Sequence, residues 1–136
     1  MDETGVVVQG ERTLTELDFS RLTRLAHERQ PPVLGDLLVN AEVVGSRAVR
    51  GDVVTMYSRV ETVDAHTHRR QVLTICYPRD AEPAAGFISV LSPVGISLLG
   101  LKVGDVATWH APHGEECAAV IDSVQFQPEA AGDYAT

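Results

Sequence analysis

A chain of 136 residues is long enough for one ordinary domain, or one domain with a small appendage, and for a modest core. Its 11 Lys and Arg against 19 Asp and Glu give a formal charge of −8, which repels a phosphate backbone. No basic stripe interleaved with aromatic residues runs through it, so direct nucleic-acid binding is not expected, and a partner with a basic or mixed surface fits better. Cys76 and Cys117 form neither a CxxC pair nor a disulfide framework and read as reduced thiols packed as small hydrophobes in a cytoplasmic protein. The opening MDETGVVVQGE is acidic where a secretory signal is basic, and its apolar run is short, so neither export nor a membrane span is expected.

In chain order, Val6 to Val8 suits a short strand. Thr13-Leu14-Thr15-Glu16 suits a capping box in which Thr13 and Glu16 satisfy each other's backbone donors and open a helix. Leu17, Leu22 and Leu25, with Leu14 and Ala26 near the ends, fall on one face of that helix, while Arg21, Arg24, Glu28 and Arg29 are polar. Pro31-Pro32 forbids continuation, because proline lacks the N–H and pushes Gln30 out of the helical region. A second stripe of Leu34, Leu37, Leu38, Ala41 and Val44 predicts a second helix stopped at Gly45. The two stripes describe a short antiparallel helical hairpin, Thr13 to Gly45, within an N-terminal part spanning 1–46.

Beyond Gly45-Ser46 the period changes from helical to alternating. Val54, Met56 and Val60 mark Asp52 to Val63 as a strand bent near Ser58, and the polar stretch 64–70 is a turn. Val72 to Tyr77 is a second strand ended by Pro78, and Arg79 to Gly86 is a loop. Phe87 to Leu91, Val106 to His110 and Ala118 to Phe126 are three more, the last two joined by a hairpin turn at Pro112-His113-Gly114. Between them, Ser89 to Asp105 reads SVLSPVGISLLGLKVGD. Ser92 can cap a helix whose first position is Pro93, and Gly100 falls where a left-handed residue ends it. The expected fold is α+β, a twisted antiparallel sheet with one short helix at Pro93 to Leu99.

Few residues suggest chemistry of their own. His66 and His68 share a loop, and His110, His113 and Cys117 surround a turn, but the His pair has no matching second pair and zinc is not expected. Cys117 has a nearby His but no third group to orient it, so a thiol nucleophile is not expected either. Gly100-Leu101-Lys102-Val103-Gly104 lacks the spacing and the Ser/Thr of a phosphate loop. No catalytic residue, metal or cofactor is therefore assigned. Trp109 reads as a partly buried sheet aromatic.

Several runs carry a resemblance when taken together. Asp52-Val53-Val54-Thr55-Met56, Ser58-Arg59-Val60, Tyr77-Pro78, the Ser89 to Asp105 stretch, Trp109 with Pro112 and Gly114, and the closing Gln127-Pro128-Glu129-Ala130-Ala131-Gly132-Asp133-Tyr134 occur in that order. This text resembles the C-terminal domain of the Gre transcription elongation factors, and its ending is similar to that of the short Rnk-type members. The resemblance implies an FKBP-like domain over 47–136 that docks on bacterial RNA polymerase at the rim of its secondary channel. The implied contact residues are Ser92, Pro93, Val94 and Gly95. The position before the Ser-Pro, acidic or amide in many Gre factors, is Leu91 here.

Gre factors stimulate transcript cleavage by presenting acidic residues at the tip of a long helical hairpin, where they help hold a catalytic Mg²⁺. The corresponding tip here is HERQPPV, with Glu28, Arg29, Pro31 and Pro32; its one carboxylate stands beside an arginine, and Asp36 lies about a turn beyond. A first helix of at most about 15 residues reaches only about 20 to 25 Å. The resemblance thus implies a polymerase-binding regulator that is not an enzyme and does not stimulate cleavage. The alternatives are an FKBP-like peptidyl-prolyl isomerase, disfavoured by few aromatic residues, and a regulator of nucleotide metabolism acting through a small-molecule or kinase partner.

Overall fold

The computed structural model describes residues 11–29 and 32–134; the expected strand at Val6 to Val8, and Gln30 and Pro31 of the tip, lie outside the described residues. The chain enters through a three-residue strand, β1 (Thr13–Thr15), and only then turns into helix α1 (Glu16–Arg29). The capping-box expectation is therefore displaced. The Thr15 hydroxyl, not that of Thr13, caps α1 by accepting the Asp18 N–H at 3.0 Å. Thr13 is unavailable to a helix because its N–H donates to the Gly100 carbonyl at 3.0 Å.

Helix α2 (Pro32–Asn40) packs on α1 and stops four residues short of the expected Val44. Glu42 to Val44 form strand β2, paired in parallel with β1 so that Leu14 lies opposite Val43, and the Glu42 N–H donates to the Arg12 carbonyl at 2.8 Å. A tertiary hydrogen bond ends the helix before glycine can. Leu14, Leu22, Leu34, Leu37 and Leu38 are buried in the same hydrophobic cluster as Val54, Met56, Ile75, Val90 and Leu98. The helical part is thus folded onto the sheet's core instead of standing away from it.

Residues 52–58 are not the first half of a strand. Val53 makes one isolated bridge with Lys102, and Val54 exchanges backbone bonds with Leu101 and Gly100, both at 2.8 Å. Thr55 to Ser58 close a turn in which Tyr57 takes a positive φ of 66°. The strand proper is β3 (Arg59–Asp64), followed by β4 (Arg70–Cys76) and β5 (Phe87–Ser89). Helix α3 (Pro93–Leu98) leads to β6 (Val106–His110) and β7 (Glu116–Phe126). The sheet order is β5-β4-β3-β7-β6.

The all-antiparallel expectation is corrected at one edge, where β5 runs parallel to β4. Short 3-10 turns at Pro78–Asp80 and Pro83–Ala85, the second closed by Gly86 at φ +87°, carry the chain back so that β5 enters in the direction of β4. Register shifts in the β3–β7 pairing at Arg59/Val60 and Glu61/Thr62 mark bulges that curl the sheet. Inward residues Val60, Leu73, Ile75, Ala107 and Ile121 share one buried cluster with Ile96, Leu98 and Leu99 of the α3 region.

Candidate functional site

The start of α3 is a locked turn. Ser92 has extended backbone, its Oγ accepts the Gly95 N–H at 3.1 Å, and the same hydroxyl donates to the Ser89 carbonyl at 2.7 Å. The Ser92 N–H reaches that carbonyl as well, at 3.0 Å, and the Ser89 hydroxyl accepts the Leu91 N–H at 3.1 Å. Two serines therefore fix the approach to the helix, and only one of them was visible as a cap. Pro93 is exposed at the first helical position, where its missing N–H leaves nothing unpaired. Gly95 is buried, and a β-carbon there would stand 2.1 Å from the Ser89 oxygen.

The other end of α3 is held by a residue that periodicity does not flag. Arg12, 7% exposed, donates from Nη1 to the carbonyls of Ile96 at 3.1 Å and Leu99 at 2.8 Å. A buried cation thereby satisfies the orphan carbonyls at the negative end of the helix. Burial lowers its pKa, with Asp105 opposing. Gly100 is left-handed at φ +82°, and a β-carbon on it would meet Arg12 and Thr13 at 3.1 to 3.2 Å. That one glycine both ends the helix and admits the incoming N-terminal strand. Asp105 is a turn residue, accepting the Lys102 N–H at 3.0 Å.

Beside α3 the curled sheet leaves a groove of about 440 Å³ walled by Val94, Leu98, Leu73 and Trp109. Its rim is polar. Asp64 accepts the N–H groups of His66 and Thr67, both at 2.8 Å, which holds its carboxyl below the usual range. Arg70 bridges Asp122 at 3.0 Å and Glu61 at 3.6 Å. Of the four residues expected at the contact, Ser92 and Val94 are half-buried, Pro93 is exposed and Gly95 is inside. Leu91 packs partly buried against the core.

Glu28 and Arg29 are exposed at the end of α1, and Asp36 is exposed on α2. Glu28 and Arg29 line a second cavity, distinct from the α3 groove. Among the described residues no group of three or more His, Cys, Asp and Glu is placed to hold a metal ion. His113 instead faces Glu115 at 3.0 Å, and Cys76 is buried with its thiol pKa raised by desolvation.

The closing segment is a latch. Gln127 donates from Nε2 to the carbonyls of Arg50 at 2.7 Å and Val53 at 2.8 Å, and its Oε1 accepts the Ala130 N–H at 3.1 Å. The Thr55 hydroxyl donates to buried Glu129 at 2.7 Å, and Arg47 stacks 4.5 Å over the Tyr134 ring. Near this network Asp18, 1% exposed, accepts the Met56 N–H at 3.1 Å. Burial, reinforced by the charge of Glu129, pushes its carboxyl up to about 7.

Residues 49–125 match the family of transcription elongation factor GreA/GreB, C-terminal part. The chain is 38% identical over 97 residues to a "Regulator of nucleoside diphosphate kinase" of Escherichia coli K12, covering 71% of each. It is 36% identical over 91 residues to transcription elongation factor GreA of Solidesulfovibrio magneticus, covering 67% of this chain and 56% of the relative. The solved structure of a prokaryotic GreA/GreB elongation factor from Nitrosomonas europaea superposes with a TM-score of 0.73 at 33% identity, over 87% of this chain and all of the other. Gfh1 of Thermus thermophilus shares the fold at a TM-score of 0.50 and 20% identity, over 86% of this chain and 100% of that one. These matches define the class of proteins that share the C-terminal domain of the Gre transcription elongation factors. The chain belongs to the GreA/GreB family, with Rnk among its relatives.

Proposed function

We propose that this chain is a cytoplasmic regulator that docks on bacterial RNA polymerase at the rim of the secondary channel and does not stimulate transcript cleavage. The observation that carries the docking is the locked α3 start, which holds Pro93 outward beside the groove of Val94 and Trp109. Ser92 and Pro93 are the contact, Val94 continues it into the groove, and Gly95 acts by letting the helix sit against Ser89. The division into an N-terminal part, 1–46, and an FKBP-like part, 47–136, belongs to this reading; its support is the family match beginning at residue 49.

Reach and charge both work against cleavage stimulation. Helix α1 has 14 residues, about 21 Å of rise, and its Leu22 and Leu25 are committed to the core. Its end offers one carboxylate, Glu28, next to Arg29, and an adjacent cation repels a divalent metal. Against the isomerase alternative, Trp109 is the one aromatic among the residues lining the groove.

The test is retention of core RNA polymerase from a native extract by the tagged chain, repeated with Ser92→Asp and Pro93→Ala combined. Aspartate keeps the acceptor for the Gly95 N–H but loses the hydrogen bond donated to the Ser89 carbonyl, so the binding of the variant is read only with a circular dichroism spectrum equal to the parent's. Loss of polymerase from the variant supports the reading. Absence of the large subunits from the parent eluate overturns it, and retention of a kinase in their place favours the regulation of nucleotide metabolism that the name of the Escherichia coli relative describes.

A further inference from the structure

A cavity of about 670 Å³ lies between α1 and the turn that follows β4, away from the α3 groove. Arg21, Arg24 and Arg29 from α1 and Arg79 from the turn line it. Four of the chain's 11 Lys and Arg residues thus surround one cavity in a protein of net charge −8. Arg21 and Arg24, three apart, are neighbours on the helix surface, and Arg29 lines the same cavity from the last turn of α1.

The cavity also presents two tyrosines, with ring centroids 5.8 Å apart and planes tilted by 54°. The Tyr57 hydroxyl is spent on Asp80. The Tyr77 hydroxyl is buried and has no hydrogen-bond partner. A buried hydroxyl without a partner is costly unless something else satisfies it. Glu28 and Asp80 also line the cavity, so it is not uniformly basic; Asp80 is engaged by Tyr57 and lies 3.9 Å from Arg79.

We infer that this cavity binds a small ligand carrying a diphosphate or longer phosphate chain, the guanidinium groups clasping the phosphates and the tyrosines receiving the remainder. Guanidinium forks match phosphate oxygens two at a time, and tyrosine supplies an aromatic face together with a hydroxyl. The shared chemistry is the oligophosphate, which either a nucleotide or inorganic pyrophosphate provides. The site is separate from the proposed docking surface, so it stands or falls independently of polymerase binding.

The experiment is isothermal titration of the full chain with ADP, pyrophosphate and adenosine, on the parent and on Arg24→Gln combined with Arg79→Gln. ADP and pyrophosphate are expected to bind saturably at one site, at least tenfold tighter than adenosine, and the double variant to weaken both at least tenfold. Equal affinities for ADP and pyrophosphate identify a phosphate-anion site, and a tenfold preference for ADP identifies a nucleotide site. Arg59→Gln, an exposed residue of β3 outside the cavity, controls for general charge and is expected to leave both affinities unchanged. No saturable binding up to 5 mM of either phosphate ligand overturns the inference. So does unchanged affinity in a double variant with parental circular dichroism, or equal weakening by Arg59→Gln.

Discussion

The α-carbon of Gly95 faces the Ser89 carbonyl so closely that a β-carbon would lie 2.1 Å from the oxygen. The obstacle is backbone, and that oxygen already accepts from both the N–H and the hydroxyl of Ser92. Moving it aside dismantles the cap of α3. Gly95→Ala is therefore expected to destabilise by about 2 to 3 kcal/mol, the scale of overpacking in a filled core. Urea unfolding measures this, and a variant within about 0.5 kcal/mol of the parent, the range of ordinary surface changes, would show that the turn yields.

Gln127 is 3% exposed and makes three side-chain hydrogen bonds to backbone groups, two in the distant 50–53 segment and one at nearby Ala130. Gln127→Ala leaves the Arg50 and Val53 carbonyls and the Ala130 N–H without their partner. A loss of about 2 to 3 kcal/mol is expected, since each orphaned buried group carries a desolvation penalty. Thermal unfolding gives the total, and faster amide exchange at Ala130 and Ala131 than in the parent locates it in the tail. Unchanged exchange there would mean that the tail is held by Glu129 and Tyr134 alone.

Asp18 gives stability a definite pH dependence. Its folded carboxyl titrates at about 7 against an ordinary 3.8, so the folded state binds the proton more tightly than the unfolded state. The contribution is complete below about pH 4, declines as pH rises from 4 to 7, and is gone above 7. At about 1.4 kcal/mol per pKa unit it amounts to a few kcal/mol. Asp18→Asn keeps an acceptor for the Met56 N–H and stays neutral. The gain of the variant over the parent is expected to grow by more than about 1 kcal/mol between pH 5 and pH 8, by urea midpoints. Parallel pH profiles in the two proteins would place the charged form of Asp18 in a better-solvated setting.

Backtracked polymerase complexes are expected to keep full-length transcripts in excess of this protein, and a Gre cleavage factor added afterwards is expected to act more slowly. Competition needs only the proposed rim contact, while cleavage needs a carboxylate delivered to Mg²⁺ by an arm longer than about 21 Å. Shortened transcripts with this protein alone, abolished by Glu28→Gln, would defeat the reach argument. Undiminished cleavage at saturating protein would remove the competition.

Much of the fold is settled between neighbouring residues and is legible along the chain. Ser92, Pro93 and Gly100 delimit α3, Pro112 to Gly114 turn the last hairpin, and alternation marks β4, β6 and most of β7. The ends of the helical part are set by contacts distant in the chain. Thr13 to Thr15 and Glu42 to Val44 can serve either helix or strand locally, and they become β1 and β2 because Gly100 and Arg12 present backbone partners to them. The same holds for 52–58, drawn to Gly100 and Leu101, and for β5, turned parallel by two 3-10 turns. Arg12 and Glu129 carry no periodic signal of burial, and Asp18, four residues before Leu22 on the buried side of α1, carries a charge that speaks against it. Their partners stand 84 and 87 residues away for Arg12, 38 for Asp18 and 74 for Glu129. Local preferences differ by only about 0.7 kcal/mol per residue, less than the desolvation cost of leaving such buried groups unpaired, so contacts distant in the chain overrule them.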